Sequence, residues 1–477
     1  MENILVCPES KFNKLNNHLL QNEKEQIAFL LCSISKRPNQ TRLLCKELIK
    51  AGPSHLAYNS ESGAALKNGF FRKILKRSKQ ESLSLIICHS HPFSDHEACF
   101  SMIDEACDQK MASYISKKIP GPLFGTMVVA GSGNFQTRIY DKAAEKMVAI
   151  DQVWIIGRNI SKYPEKSKEY DYQPFIRQVL LFGCSGQDKL ADTTIAIVGL
   201  GGIGSLVAEM VCRLGVGKLI AIDFDVVEAC NLNRLVGATP TDVGRAKVEV
   251  FKTHAERYSE TQIEAICESV LHPSLIERIK EAQVIFCCVD KQAPRFFLND
   301  VAVKYSIPLI DLATGVVTEK GYVEAGGQVR IVVPDGFCLS CIDGIDRNEV
   351  IQELLTEEDI QMRAGAGYIQ GESFPAPSVI SLNGVIASLG VTEFINLVCG
   401  IRKANTFVAY DMISNQVLSQ TLKAKRNKKC LTCHEKGIRA MGDLIPFPNL
   451  FDDKTPNNIP DIAMGQEYGG GQDGRSF

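Results

Sequence analysis

The sequence predicts an α/β protein whose later part is a doubly wound parallel sheet and whose first part is a separate α+β domain. One observation predicts the sheet. The short apolar run Ile195–Val198 leads into Gly199, Gly201, Gly202 and Gly204, then a helical run over 205–214, then the apolar run Leu219–Ile222 ending at Asp223. Strand, glycine turn, helix, strand and terminal acid make a mononucleotide-binding βαβ unit: the helix N-terminus favours a phosphate and the acid can hold a ribose hydroxyl. Two more observations predict the division. The 477 residues are too many for one core and suit two or three domains. The apolar run Leu83–Cys88 feeds its own cluster of chemistry, His89-Ser90-His91, far ahead of the glycine turn.

Composition sets the bounds. Hydrophobic content of 45% and charged content of 23% are ordinary for a globular chain. A formal net charge of −2 gives no global pull toward nucleic acid or membrane, and neither is expected as a partner. The sequence shows no apolar run of about 18 residues, the length that spans a bilayer. The start, MENILVCPESKF, lacks the regions of a signal peptide. Seventeen cysteines scattered through such a chain suggest a reducing, cytoplasmic setting.

Taken in order, the first 160 residues hold a candidate metal centre. Two histidines at i and i+2 of an extended chain, His89 and His91, point to the same side. Ser101 and Asp104 follow, three apart and so on one face of a helix over 104–118. Glu25 stands ahead of the apolar run QIAFLLC. Two His and one Asp would hold zinc with a fourth position open to water, Glu25 would be the general base and Ser101 an oxyanion stabiliser. These residues resemble the JAB/JAMM metalloprotease domain, which cleaves ubiquitin-like proteins from conjugates or precursors. Nine residues separate His91 from Ser101, more than in the family's common form, and Asp95 and His96 lie inside that enlarged loop. Strands are expected over 125–129 and 134–140, the second closing the sheet. A polar connector is expected over 161–175, after a first domain over 1–160.

The second domain, expected over 176–445, goes beyond a glycine turn. A dinucleotide dehydrogenase is the first guess, but Asp223 and Asp225 are followed by Asn231-Leu232-Asn233-Arg234 and by Lys247. An Arg fork and a Lys point charge just past the ribose acid suit a triphosphate rather than hydride transfer. The motifs IVGLGGIGS, DFDVVE and NLNR with the downstream Lys resemble the adenylation domain of the ThiF/MoeB and ubiquitin-activating superfamily, a Rossmann-like doubly wound fold. Upstream, Arg177-Gln178 resembles the family's arginine-bearing helix, which implies a homodimer in which Arg177 reaches the partner's triphosphate. The strand over 284–290 ends in Asp290 at the carboxyl edge of the sheet, where ligands collect, so Asp290 is placed to hold Mg²⁺. Arg295 and Asn299 are read as structural supports. A hairpin is expected over 321–333.

Cys338-x2-Cys341 and Cys430-x2-Cys433 supply two knuckles, each able to offer two thiolates to one tetrahedral ion. Paired knuckles are also the family's arrangement and imply a structural zinc held by all four cysteines. Between them, the stretch over 343–375 corresponds to the family's crossover loop, which often carries a thioester cysteine. Here it has none. The chain stops at the acyl-adenylate, or another cysteine such as Cys184, Cys230 or Cys399 serves, or a partner supplies the thiol. From about 446 the composition is that of a flexible tail, with Gly469-Gly470-Gly471 inside it.

The resemblance implies an enzyme that uses ATP and Mg²⁺ to adenylate the C-terminal glycine of a ubiquitin-like protein, fused to a zinc protease that processes or removes it. The cofactor-binding set is Gly199, Gly201, Gly202, Gly204, Asp223, Asp225, Asn231, Arg234, Lys247 and Asp290. A conjugating enzyme or a sulfur donor would complete the pathway. The alternatives are activation of a sulfur carrier, as in thiamin or molybdopterin assembly, and a non-enzymatic scaffold for ubiquitin-like folds.

Overall fold

The structure is a computed structural model. It describes residues 1–447 apart from 62, 95–96, 166–170, 320–321, 356–376, 423 and 425. Asp95, His96, most of the expected crossover loop and the tail glycines lie outside the described residues.

The first part folds around a nine-stranded mixed sheet. Its strands are β1 (Glu2–Pro8), β2 (Ile27–Arg37), β3 (Gln40–Lys50), β6 (Ser84–His91), β7 (Phe124–Ala130), β8 (Phe135–Asp141), β9 (Lys146–Ala149), β10 (Gln152–Ile156) and β11 (Ile160–Tyr163). They lie in the order β11-β10-β1-β3-β2-β6-β7-β8-β9, and β4 (Leu56–Ser60) with β5 (Gly63–Leu66) forms a separate hairpin. Three helices cover the sheet: α1 (Glu9–Leu19), α2 (Asn68–Gln80) and α3 (Met102–Lys118). Strand β2 reads as a continuous apolar run because both of its faces are covered. Leu30 and Cys32 face α1, while Phe29 and Leu31 face the side packed by α2 and α3. The strand after Leu83 runs on through Cys88 and carries both histidines as ladder residues, as their spacing on an extended chain predicts. One expectation needs correction. Strand β8 does not close the sheet, because β9 pairs with its outer edge.

The second part is an eight-stranded sheet of β12 (Thr194–Val198), β13 (Lys218–Ile222), β14 (Gln262–Ile266), β15 (Val284–Cys287), β16 (Leu309–Glu319), β17 (Tyr322–Val332), β18 (Phe407–Asp411) and β19 (Gln416–Gln420). The order is β14-β13-β12-β15-β16-β17-β18-β19, parallel through β16 and antiparallel beyond. The order reverses between β12 and β15, so a topological switch point opens there. Its helices are α4 (Ile176–Ala191), α5 (Gly202–Arg213), α6 (Lys247–Ala255), α7 (Leu275–Ile279), α8 (Gln292–Tyr305), α9 (Arg347–Glu353) and α10 (Ile380–Cys399). Helix α5 begins three residues ahead of its expected start, drawing Gly202 and Gly204 into its first turn. The expected hairpin over 321–333 is one arm of a longer one, since β16 continues to Glu319. Helix α10 corrects the membrane reading: by length and composition it could cross a bilayer, but 61% of its apolar window is buried, packed on α5 and on β16. A core helix buried on most sides is apolar for the same reason as a spanning one.

The two sheets share a core. Ile4, Val6, Leu44, Trp154 and Ile156 of the first sheet join the cluster that includes Ile195, Leu219 and Phe286 of the second. Polar ties reinforce the seam. The Arg42 guanidinium lies over the Trp154 ring at 4.4 Å and donates to the carbonyls of Ala282 and Glu281. Asp335, between β17 and the first cysteine knuckle, accepts from Ser10, Lys11, Arg426 and Arg439. Its side chain is only 7% exposed and that of Lys11 10%. Removing the shared carboxylate leaves buried cations without a counter-charge, which typically costs about 3–5 kcal/mol. Asp335→Ala is therefore expected to lower stability by about 3 kcal/mol or more in urea denaturation. A loss below about 0.5 kcal/mol would show these contacts to be ordinary surface pairs.

Candidate functional sites

The crevice at the switch point gathers most of the residues expected to bind nucleotide. Gly199 leaves β12 with φ of +88°, and a Cβ there would stand 2.7 Å from the Cys288 carbonyl oxygen, so only glycine allows the turn. The turn delivers the chain to the N-terminus of α5, whose first amides are free to meet an anion. Asp223 fixes the loop from the next strand: one carboxylate oxygen accepts from the Leu200 amide at 2.6 Å and the other from the Asp225 amide at 2.8 Å. Burial pushes its pKa up. Each oxygen keeps a further lone pair for a hydroxyl. Asp225 accepts from Lys247 Nζ at 2.7 Å, which holds the lysine at the first residue of α6.

Asn231 and Arg234 sit on the loop between β13 and α6. The Asn231 side-chain oxygen accepts from the Glu228 amide, and Arg234 donates to the Cys230 carbonyl at 2.6 Å. The methylenes of Arg234 lie over Gly202. Asp290 stands just past β15, exposed, and makes no hydrogen bond or ion pair among the described residues. Arg295 and Asn299 face inward as supports: Arg295 pairs with the fully buried Asp311, which also pairs with Arg330, and Asn299 accepts from the Leu339 amide. Arg177 is exposed on α4, and no hydrogen bond joins it to the glycine loop among the described residues. Of the three cysteines singled out, Cys184 and Cys230 are exposed. Cys399 donates to the Gly186 carbonyl, and burial pushes its thiol up to about 12, so it is a poor nucleophile.

One residue at this crevice escaped the sequence analysis. Asn383 of α10 is 1% exposed, and its amide nitrogen lies 2.4 Å from where a Cβ on Gly202 would sit. The only sequence signal is a carboxamide within the mostly apolar first half of the helix, ISLNGVIASLG.

A second cluster forms where β6 ends. The ligand atoms of His89, His91 and Asp104 all lie within 4.8 Å of one another. His89 Nε2 and His91 Nε2 each stand 3.4 Å from an Asp104 oxygen, and Glu25 is 3.8 Å from His91. His89 Nε2 is buried without a hydrogen-bond partner, which suits a nitrogen that ligates a cation. Burial alone would raise the Asp104 carboxyl, but the His89 and His91 imidazoles beside it and the Ser101 hydroxyl hold it well below the usual carboxylate range. The bond to Asp104 raises His91 in turn, and burial raises Glu25. The β4–β5 hairpin positions Glu25: Asn59 donates to its carbonyl at 2.6 Å, and its amide donates to the Ser60 carbonyl.

Ser101 is not inside the helix, as its spacing from Asp104 suggested, but is the N-cap of α3. Its hydroxyl donates to Asp104 at 2.7 Å, and the Asp104 amide donates back to the hydroxyl. This capping box orients the carboxylate toward the histidines. The enlarged loop therefore leaves the Ser101–Asp104 register intact.

The third cluster is the pair of knuckles. Sγ–Sγ separations are 3.8 Å for Cys338–Cys341, 3.6 Å for Cys338–Cys430 and 3.3 Å for Cys341–Cys433. Tetrahedral ligation with Zn–S of about 2.3 Å puts sulfurs about 3.8 Å apart. Hydrogen bonds among the four thiols lower Cys341 and Cys430 and raise Cys338 and Cys433, so the cluster shares its protons as a unit. Asp300 braces the pair from α8, accepting from Thr432 between the second knuckle's cysteines. Cys433→Ser is expected to remove one equivalent of zinc per chain and lower the melting temperature, read by elemental analysis and calorimetry. Unchanged zinc content would rule out a zinc site built from these cysteines.

With the geometry in place, comparison with known proteins identifies the second part of the chain. The model of the ThiF family matches residues 175–432. Sulfur carrier protein ThiS adenylyltransferase of Escherichia coli (strain K12) is 30% identical over 177 residues, covering 36% of this chain and 67% of that protein. Ubiquitin-like modifier-activating enzyme 5 of Drosophila grimshawi is 27% identical over 324 residues, covering 58% and 75%. SAMP-activating enzyme E1 of Haloferax volcanii is 25% identical over 265 residues, covering 55% and 88%. A glycine turn, a buried acid at the end of β13 and a paired lysine at one switch point, within a match that spans more than half the chain, make this protein a member of the ThiF family of E1-like adenylyltransferases.

Proposed function

We propose that the chain adenylates the C-terminal glycine of a ubiquitin-like protein with ATP, and that its first domain is a JAB/JAMM-type zinc protease that processes or removes the same protein. The observation that carries the first half is the convergence of the glycine turn, Arg234 and the Asp225-held Lys247 at one switch point. The substrate class is supported by the relatives, whose names include a sulfur-carrier adenylyltransferase and activating enzymes for ubiquitin-like modifiers.

In the reaction, an oxygen of the glycine carboxylate attacks the α-phosphorus, the bond to the β-phosphate oxygen breaks, and acyl-adenylate and pyrophosphate result. The α5 amides, Arg234 and Lys247 take up charge on the phosphates as it redistributes, and they do so from fixed positions. Asp290, a carboxylate with no ion pair among the described residues, is the residue that would hold Mg²⁺, which neutralises phosphate charge when bound. Arg177 stands on α4 beside the exposed Leu180 and Leu181, a face suited to a second copy that would bring the arginine to its partner's nucleotide.

In the first domain His89, His91 and Asp104 would hold zinc, whose chemistry is to lower the pKa of a bound water. Glu25 is the base that takes a proton, and the hairpin keeps it beside His91. Ser101 is assigned to orienting Asp104 rather than to an oxyanion, because its hydroxyl is already given to that carboxylate.

A second reading, in which the chain stops at the adenylate and serves sulfur transfer, is favoured by one observation: no cysteine occurs between Cys341 and Cys399. Intact mass separates the two after the protein is mixed with Mg²⁺·ATP and a protein ending in Gly-Gly. A reductant-labile adduct supports conjugation chemistry, and an AMP-linked product without an adduct supports sulfur transfer.

Two variants test the sites themselves. Arg234→Ala is expected to slow ATP–pyrophosphate exchange by about 100-fold with the fold retained; exchange at the wild-type rate would remove Arg234 from the reaction. Glu25→Gln is expected to abolish cleavage of a Gly-Gly-linked fusion while zinc remains bound, and His89→Ala to lose that zinc. Cleavage that survives both substitutions would exclude the metalloprotease assignment.

A further inference from the structure

We propose that Asn383 is a catalytic residue of the adenylation site, donating an N–H to the α-phosphate of the nucleotide; the inference rests on the adenylation reading above. Asn383, on α10, meets the first turn of α5, the helix of the βαβ unit. Its Nδ2 lies 2.4 Å from where a Cβ on Gly202 would be, and the Cδ and Cγ of Arg234 lie 3.2 and 3.3 Å from the same point. The carboxamide and the arginine stem thus share the surface of the first helical turn, where helix amides receive phosphate.

A primary amide has two N–H donors. One of them goes to the Ser378 hydroxyl at 3.1 Å, and the side-chain oxygen accepts from the Thr314 hydroxyl at 3.4 Å. These two bonds fix the amide and leave one N–H of the nitrogen that lies against Gly202 without an assigned partner among the described residues. The side chain is 1% exposed in a helix whose neighbours Leu382, Ile386 and Ala387 are core residues. A buried carboxamide is costly unless its hydrogen-bonding groups are used, and a phosphate oxygen would use the remaining one. Helix α10 packs on both α5 and β16, so the donor is held rigidly before the nucleotide arrives. Glycine at 202 then has a packing reason: any side chain there would displace this donor.

The test uses the full chain with Mg²⁺ and equilibrium dialysis of ATP and of the two diastereomers of ATPαS, in which sulfur replaces one or the other non-bridging α-oxygen. Asn383→Leu keeps the volume and removes the donor, and Asn383→Ala guards against misfit of the larger side chain. Both are expected to weaken ATP binding about tenfold or more. They are also expected to change the preference between the diastereomers, which a packing role would not alter. A diastereomer preference equal to that of the wild type in a variant that remains folded overturns the proposal, whatever its affinity, as does misfolding of both variants. A wild-type chain that binds neither ATP nor ATPαS instead sinks the adenylation reading, so the two failures are distinguishable.

Discussion

The back face of the first sheet is the constraint on which the rest depends. Strands β2 and β6 bury theirs under α2 and α3, but β1, β3 and β10 have no helix of their own there. Their apolar residues Ile4, Val6, Leu44 and Trp154 are covered by the second domain. This face of the first sheet is closed by the second domain, and a shared apolar seam resists relative motion far better than a polar one. The Asp335 hub sits at the rim of this seam, joining α1 to both flanks of the cysteine knuckles. The knuckle region therefore also anchors the first domain.

Both candidate reaction centres hold their acids largely through backbone donors. Asp223 is fixed by the amides of Leu200 and Asp225, and Asp104 by the Ser101 amide and hydroxyl. Glu25 is fixed through its own main chain by the β4–β5 hairpin. Backbone donors belong to rigid ladders and helix ends, so they hold a carboxylate without adding side chains that must be ordered first. The acids are thereby placed before any cation or phosphate arrives.

Much of this was legible in the chain. The glycine turn, its strands, the acid after β13 and the two cysteine pairs are encoded by local pattern: apolar runs of strand length, glycines where a turn needs them, cysteines at knuckle spacing. The histidine pair was legible because alternation along a strand puts i and i+2 on one side. Other features were not. The role of Ser101 turned on whether α3 begins before or after it, a difference of one residue that decides between a free hydroxyl and a cap. The apolar length of α10 reads equally as a membrane span or a core helix until its neighbours are known.

The sequence by itself determined the elements and the chemistry of each motif, because strand alternation, glycine turns and helix periodicity act over a few residues. Only the tertiary structure decided which motifs meet. It brought Cys338 to Cys430, Glu25 to His91 and Asn383 to Gly202. It also left Arg177 exposed, with no hydrogen bond to the glycine loop among the described residues. These pairings depend on strand order, crossover and the close packing of α10 on α5. Such non-local contacts are set by burial of whole faces, and no local pattern around either partner records them.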